Sequence, residues 1–341
     1  MRVHGRRKAL ALAAVLLAGA SGCSGSAGGP SAGPSTSAAA ASANASPSAS
    51  PAPAEPEVTL DEAGEVFSTF VATDDVLRAS GDLRLAMEYV RDAEARLTAV
   101  AYLSSGGRPP RHTWGTPTLY VPRFPQGASS AWFSVLADRD GELTMLTFAR
   151  NGDWRLSAAA RLLDAESRPS IELDAQGYAT AIADDDRSVT IRPQLIGPLH
   201  ATVAETGTDG VAAGLLADGP HTTEVAREIT EAREKAKKNG FSYDSIFQAG
   251  DFPVYGLRTA GGGALIQYSL SRTTTTTTKT AEDDYIPVPE SARWSISAPV
   301  VRRNLRLTEI NTYVTAVPPA RAPAAAKVIG HSGALTKATG Q

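Results

Sequence analysis

Apolar residues at helical spacing mark the start of the folded part of the chain. In "TLDEAGEVFSTFVATDDVLRAS" the residues Leu60, Ala63, Phe67 and Phe70 recur along one side, and Thr59 with Glu62 forms a capping box ahead of them. A second helix is expected with Leu83, Met87, Val90 and Leu97 along one face. After "SGGRPP" the period drops to that of strands, in "TLYVPR", "SAWFSVLADRD" and "LTMLTFARNGDWRLSAAA". The last of these carries Asn151-Gly152, a strong two-residue hairpin signal.

The same order recurs downstream. "TTEVAREITEAREKAKKNG" sets Val225, Ile229, Ala232 and Ala236 on one face, adds the pairs Glu231–Lys235 and Glu234–Lys238, and stops at Gly240. Strands resume in "FPVYGLRTAGGGALIQYSLSR" and "RWSISAPVVRRNLRLTEINTYVTAV". "PTLYVPR" parallels "FPVYGLR", and "DWRLSAA" parallels "RWSISAP". This weak duplication predicts an α+β fold of two tandem domains, each with helices packed on an antiparallel sheet. The expected units are residues 58–183 and 184–330, with a seam near "IADDDRS" and a tail at 331–341.

Everything before residue 58 has a different character. Arg2, Arg6, Arg7 and Lys8 precede an uncharged run from Ala9 to Leu17, which is too short to cross a bilayer and reads as an export signal over residues 1–22. Ala20-Ser21-Gly22-Cys23 resembles the lipobox of bacterial lipoproteins, in which the cysteine takes a diacylglycerol; an ordinary secretory signal with an incidental cysteine is the alternative. Arg6-Arg7 leaves Sec and twin-arginine export both open. Cys23 is the single cysteine of the chain, so no internal disulfide can form. Two acyl chains hold stably where one binds only marginally, so a lipidated Cys23 places the protein on the outer face of the cytoplasmic membrane. Residues 23–57 are the expected tether: from Ser24 to Pro56 only Glu55 is charged and nothing large can be buried. A flexible chain of that length spans on the order of 30 Å.

Charge and chemistry narrow the function classes. Four of the 33 Lys and Arg lie within residues 1–22, leaving 29 against 36 acidic residues, a net of −7. With no basic stripe beyond "EKAKK" and "VVRRNLR", a nucleic-acid partner is not expected. "GHSGA" at 330–334 approaches a nucleophile elbow, but no Asp, Glu or His follows it, and a Gly-rich tail is the plainer reading. His112, His200, His221 and His331 are scattered and predict no metal site, and no cofactor is expected. "ADDDRS" lacks calcium-loop spacing and "TAGGGA" falls between strand-like runs, so both read as turns. "RTTTTTTKT" reads as an exposed strand end running into a loop, or as an edge offered to a partner. The aromatic set of the first half, Trp114, Tyr120, Trp132, Phe148 and Trp154, joined by Phe133, is mainly core. It is also the one candidate lining for an apolar cavity.

The lipobox, the tether, "PTLYVPR", "AWFSVLA", "GLRTAGGGALIQYSL", "YIPVPE" and the closing "VIGHSGAL" together resemble a Streptomyces-like actinobacterial lipoprotein family that carries a domain of unknown function. The resemblance runs from about residue 58 to the end and implies a location and a lineage, with no activity or catalytic residue to transfer. The helix-then-sheet order is also similar to the cone-shaped nuclear-transport-factor-2-like and cystatin-like group, whose members include enzymes and pure binding modules. The expectation is a membrane-anchored module that binds an envelope protein or a small ligand without catalysis. The alternative is a small-molecule enzyme or carrier that uses the aromatic cavity.

Overall fold

The computed structural model describes residues 56–124, 130–164, 168, 170–279 and 285–341. The signal sequence, Cys23 and almost all of the tether lie outside the described residues. Helix α1 (Leu60–Ser80) starts where the capping box predicts: Thr59 Oγ1 accepts the Glu62 amide at 3.0 Å, and Gly81 ends the helix in the left-handed region at φ 74°. Ala63, Phe67, Phe70 and Leu77 are its buried positions. The expected second helix is divided into α2 (Leu83–Ala86) and α3 (Asp92–Ser104). Between them Val90 forms a parallel bridge with Leu156, so this stretch serves as a strand partner instead of a helical turn.

Three strands follow the order expected for the first half: β2 (Trp132–Arg139), β3 (Glu142–Asn151) and β4 (Asp153–Leu162) form an antiparallel meander behind the short edge strand β1 (Thr118–Tyr120). Asn151 pairs with Asp153 across Gly152, whose φ of 88° is the positive value this tight turn requires. Two helices open the other half, α4 (Pro193–Thr206) and α5 (Thr223–Lys238). Then come β5 (Phe241–Gln248), β6 (Tyr255–Arg258), β7 (Ala264–Thr278), the small pair β8 (Ile286–Pro287) and β9 (Val300–Val301), and the long strands β10 (Asn304–Val317) and β11 (Lys327–Gly340).

One nine-stranded antiparallel sheet runs through both halves, in the order β1-β2-β3-β4-β11-β10-β7-β5, with β6 beside β7. The described residues therefore form one compact unit, and the expected seam at 182–188 is stitched into it. Ile182 donates its amide to Gly256 O, and Asp186 and Ser188 take the Arg258 guanidinium at 2.6 and 2.5 Å. Residues 331–341, expected as a tail, supply most of β11. The threonine run is the C-terminal end of β7, the expected strand end, but it is half-buried between β5 and β10 and offers no open edge. The duplication carries over only partly: Arg293–Pro299 holds turns where its counterpart forms β4.

The two halves meet through very few ladder positions. β11 pairs with β4 at Gly330–Leu162 and His331–Arg161 alone, extended by the Leu163 amide to Ile329 O and the Arg161 amide to Ser332 Oγ. From this splice the sheet doubles back. Leu136, Met145, Ala160 and Leu162 of the first half share an apolar cluster with Leu257, Leu265, Val314 and Ile329 of the second. Helix α1 covers the far side of β2–β4, while α4 and α5 cover the far side of β7 and β10. Fully buried Gln267 on β7 fastens the doubled sheet: its amide nitrogen donates to Met145 O at 3.1 Å and its carbonyl accepts from Thr147 Oγ1 at 2.6 Å. Gly330 is needed at the splice because a Cβ there would stand 3.0 Å from the Val314 side chain and 3.1 Å from Arg161 O.

Truncating Gln267 leaves a buried carbonyl without its donor and opens a cavity between the two layers. Gln267→Ala is expected to lower the unfolding free energy by about 2–4 kcal/mol. Urea titration followed by tryptophan fluorescence checks this; a loss under about 0.5 kcal/mol would remove Gln267 from its fastening role.

Candidate functional site

Because the capping box sets the phase of α1, Phe67 and Phe70 turn inward while Glu62, Val66 and Thr69 come to one flank, with Glu65 exposed beside them. That flank looks across to the hairpin of β3 and β4. A bulge between Thr147 and Phe148 sets Phe148 opposite Leu156 and leaves Ser157 as the extra residue. Phe148 stacks on Phe133 at 5.1 Å between centroids and receives the edge of Phe70 at 5.2 Å. Trp154, half-buried near the hairpin turn, donates its indole N–H to Glu62 Oε1 at 2.9 Å. Tyr89 closes the far end, held by its carbonyl accepting the Leu156 amide at 2.9 Å.

Between these elements lies an open hollow of about 250 Å³. Phe70, Tyr89, Phe148 and Trp154 form its aromatic floor, Val66 and Thr69 one wall, and Glu62 and Glu65 its acidic rim. Arg150 stands at the margin with its guanidinium 5.1 Å from the Trp154 ring centre, and it pairs with Glu57 and with Glu62.

Of the five aromatic residues expected to line a cavity, Phe148 and Trp154 line this hollow. Trp114 is on the same side of the sheet but packs edge-on to Phe67 at 5.8 Å and takes Arg139 on its face. Tyr120 and Trp132 lie on the opposite side, against the second half of the sheet, where Trp132 meets Tyr255 at 5.2 Å. The alternation of side chains along a strand explains the division, since adjacent Trp132 and Phe133 must leave on opposite faces.

A second polar constellation has no counterpart in the sequence expectations. His200, His221 and His331, from α4, the loop before α5 and β11, come together around Tyr268 and Tyr313. His200 is fully buried. Its Nε2 lies 2.6 Å from His221 O, which can only accept, so Nε2 carries the proton; Nδ1 then accepts from Tyr268 Oη at 2.8 Å. His221 and His331 stack at 4.2 Å, and His331 Nε2 donates to Asn311 Oδ1 at 3.0 Å. Burial holds His200 down at about 4, against the hydrogen bond to His221 O, which favours the protonated ring, while the His221 charge adds a smaller lowering. Burial, then His221, His200 and Arg161, hold His331 at about 4 as well. His221 is also lowered, chiefly by burial, against the pull of Glu228. The fourth histidine, His112, sits apart on Asp140 at 2.6 Å. Among the described residues no three His, Cys, Asp or Glu side chains gather to hold a metal. The Ser332 hydroxyl of "GHSGA" accepts the Arg161 amide at 3.0 Å, a structural bond at the splice.

A family model for a domain of unknown function, DUF8094, matches residues 54–340. The chain belongs to the DUF8094 family. It is similar to the uncharacterized lipoprotein SCO6871 of Streptomyces coelicolor, 26% identical over 304 residues that cover 84% of this chain and 83% of the relative. A second relative, an uncharacterized lipoprotein of Streptomyces avermitilis, is 31% identical over 144 residues, 40% of each chain. These relatives bear out the expected actinobacterial lipoprotein family. No solved structure matches the chain. Among the described residues no helix is long and apolar enough to cross a membrane. The DUF8094 match spans both halves of the sheet, so the hollow and the histidine cluster lie within one family domain.

The sign of the histidine effect follows from these directions. Each histidine is harder to protonate in the folded state than at its ordinary value of about 6.5, so the unfolded chain binds more protons as the pH falls. Stability is full above pH 6.5 and is lost between about 6.5 and 4, at up to about 1.4 kcal/mol per pH unit for each group. Buried Glu94 acts in the opposite sense, its carboxyl pushed up by burial. Comparison of the native chain with His331→Phe isolates the histidine contribution. The variant is expected to show a shallower fall in unfolding free energy from pH 6.5 to 4, by about 1 kcal/mol per unit; identical slopes would contradict the assignment.

Proposed function

We propose that this DUF8094 protein is a lipoprotein held on the outer face of the cytoplasmic membrane through Cys23. In this reading the tether presents the folded domain to the envelope, and the domain binds a small ligand in the hollow between α1 and the β3–β4 hairpin. The anchor is supported by the A-S-G-C sequence, the short apolar run before it and the lipoprotein names of the relatives. The binding role rests on one observation: four aromatic side chains and two carboxylates converge on an open hollow of about 250 Å³. Ligand sites combine an apolar lining with a few polar groups in this manner. An enzyme or carrier reading uses the same hollow and is separated from simple binding by recovery of the ligand unchanged.

Intact-mass spectrometry of the protein from membranes of its native host tests the anchor. A diacylglycerol-sized increment is expected in the native chain and absent in Cys23→Ala; an unmodified, released native chain would sink the anchor. For the binding role, neutral aromatic fragments are expected to shift the NMR resonance of the Trp154 indole N–H. No response at Trp154 to any fragment would remove the hollow as a site.

A further inference from the structure

We infer that the hollow takes an organic cation, an ammonium or guanidinium group carried on a compact aromatic or aliphatic body. The inference rests on the reading of the hollow as a ligand site and adds the chemistry of the ligand. Size comes first: about 250 Å³ accommodates on the order of ten non-hydrogen atoms at roughly 20–30 Å³ each.

Charge decides the class. Glu62 uses Oε1 for the Trp154 indole and the Arg150 guanidinium, while among the described residues its Oε2 has no hydrogen-bond or ion-pair partner. Glu65, exposed on the rim, also makes neither kind of contact among the described residues. Two carboxylates, Glu62 and Glu65, thus line the rim, where among the described residues Arg150 is the cation paired with Glu62, and an anionic ligand would meet repulsion.

The floor reinforces the same preference. Aromatic faces carry negative quadrupole density and attract cations, the more so where water is partly excluded. The corner already demonstrates the chemistry on one of its own side chains: Arg150 lies over the Trp154 ring while paired with Glu57 and Glu62. A ligand ammonium over the half-buried Tyr89 ring, with Glu65 and the second oxygen of Glu62 beside it, would repeat that arrangement inside the hollow.

Three probes of nearly equal size test the inference on the soluble full-length domain with its tether: phenethylammonium, 2-phenylethanol and phenylacetate. Binding is read from the Trp154 indole resonance and by calorimetry. Phenethylammonium is expected to bind at least about tenfold more tightly than the alcohol, with phenylacetate weakest, and the advantage is expected to shrink in high salt. Glu65→Gln, at an exposed position with no partner to lose, is expected to narrow the gap between ammonium and alcohol by about three- to tenfold. Equal binding of the ammonium and the alcohol would overturn the cation inference and leave the hollow as an apolar site. Silence of Trp154 towards all three would overturn both.

Discussion

Two ladder positions, Gly330 opposite Leu162 and His331 opposite Arg161, join β4 to β11 and so make one sheet of the two halves. Without them the chain would be two separate antiparallel sheets with helices on each. With them, a single sheet turns sharply and lays one half over the other. So short a contact between strands contributes little by itself, which is why the neighbouring interactions matter. Gln267 satisfies a backbone carbonyl and a hydroxyl across the layers. Tyr255 Oη reaches Ser157 Oγ at 2.8 Å, and Ser157 in turn donates to Asp92 Oδ2 at 2.6 Å. Buried polar links of this type are costly to break because each leaves an unpaired partner behind. They fix the register of the two layers more sharply than apolar packing could.

The hollow follows from the same geometry. Ser157 is the extra residue of the β4 bulge, and its bond to Asp92 ties the start of α3 to that strand. The segment just before it, Tyr89–Arg91, is thereby laid along β4, with the Arg91 amide donating to Leu156 O at 2.9 Å. Tyr89 reaches the hollow only because of this docking. Trp154 reaches it because the Asn151-Gly152 turn places it across from Arg150. A turn, a bulge and a helix cap thus set three of the walls, and none of them depends on the ligand for its own stability.

Local signals of this kind were legible in the sequence, and signals carried by tertiary pairing were not. The capping box located α1, the apolar face of Val225, Ile229 and Ala236 located α5, although Glu231 pairs with Arg227 and not Lys235, and Asn151-Gly152 located the hairpin. Helix α4 escaped notice because Pro193, Gly197 and Pro198 weaken every helical signal within it; Pro193 is tolerated in the first turn, and a helix on a well-packed face needs little propensity of its own. Strand β11 escaped because "KVIGHSGALTKATG" has few β-branched residues and gains its order from a long ladder with β10. The histidine cluster was invisible for the same reason: His200, His221 and His331 are far apart in the chain and meet only once β11 is in place. Within the hollow, Phe148 and Trp154 were identifiable as candidates. Glu62 was legible only as a cap, and Tyr89 sits where a continuous helix was expected.

Three of the segments that carry the family resemblance fall on the joint and its supports. "VIGHSGAL" contains Gly330 and His331, and "GLRTAGGGALIQYSL" contains Leu257, Leu265, Gln267 and Tyr268. "AWFSVLA" supplies Phe133 and Leu136 to the two sides of the first half-sheet. The DUF8094 match over residues 54–340 takes in the splice, its supports and the hollow alike. The rim and floor of the hollow draw instead on α1, the Tyr89 segment and the β3–β4 hairpin, elements whose side chains can change without disturbing the splice. Glu62 and Glu65, carried by the exposed flank of α1, give that rim its acidic character without taking part in the splice.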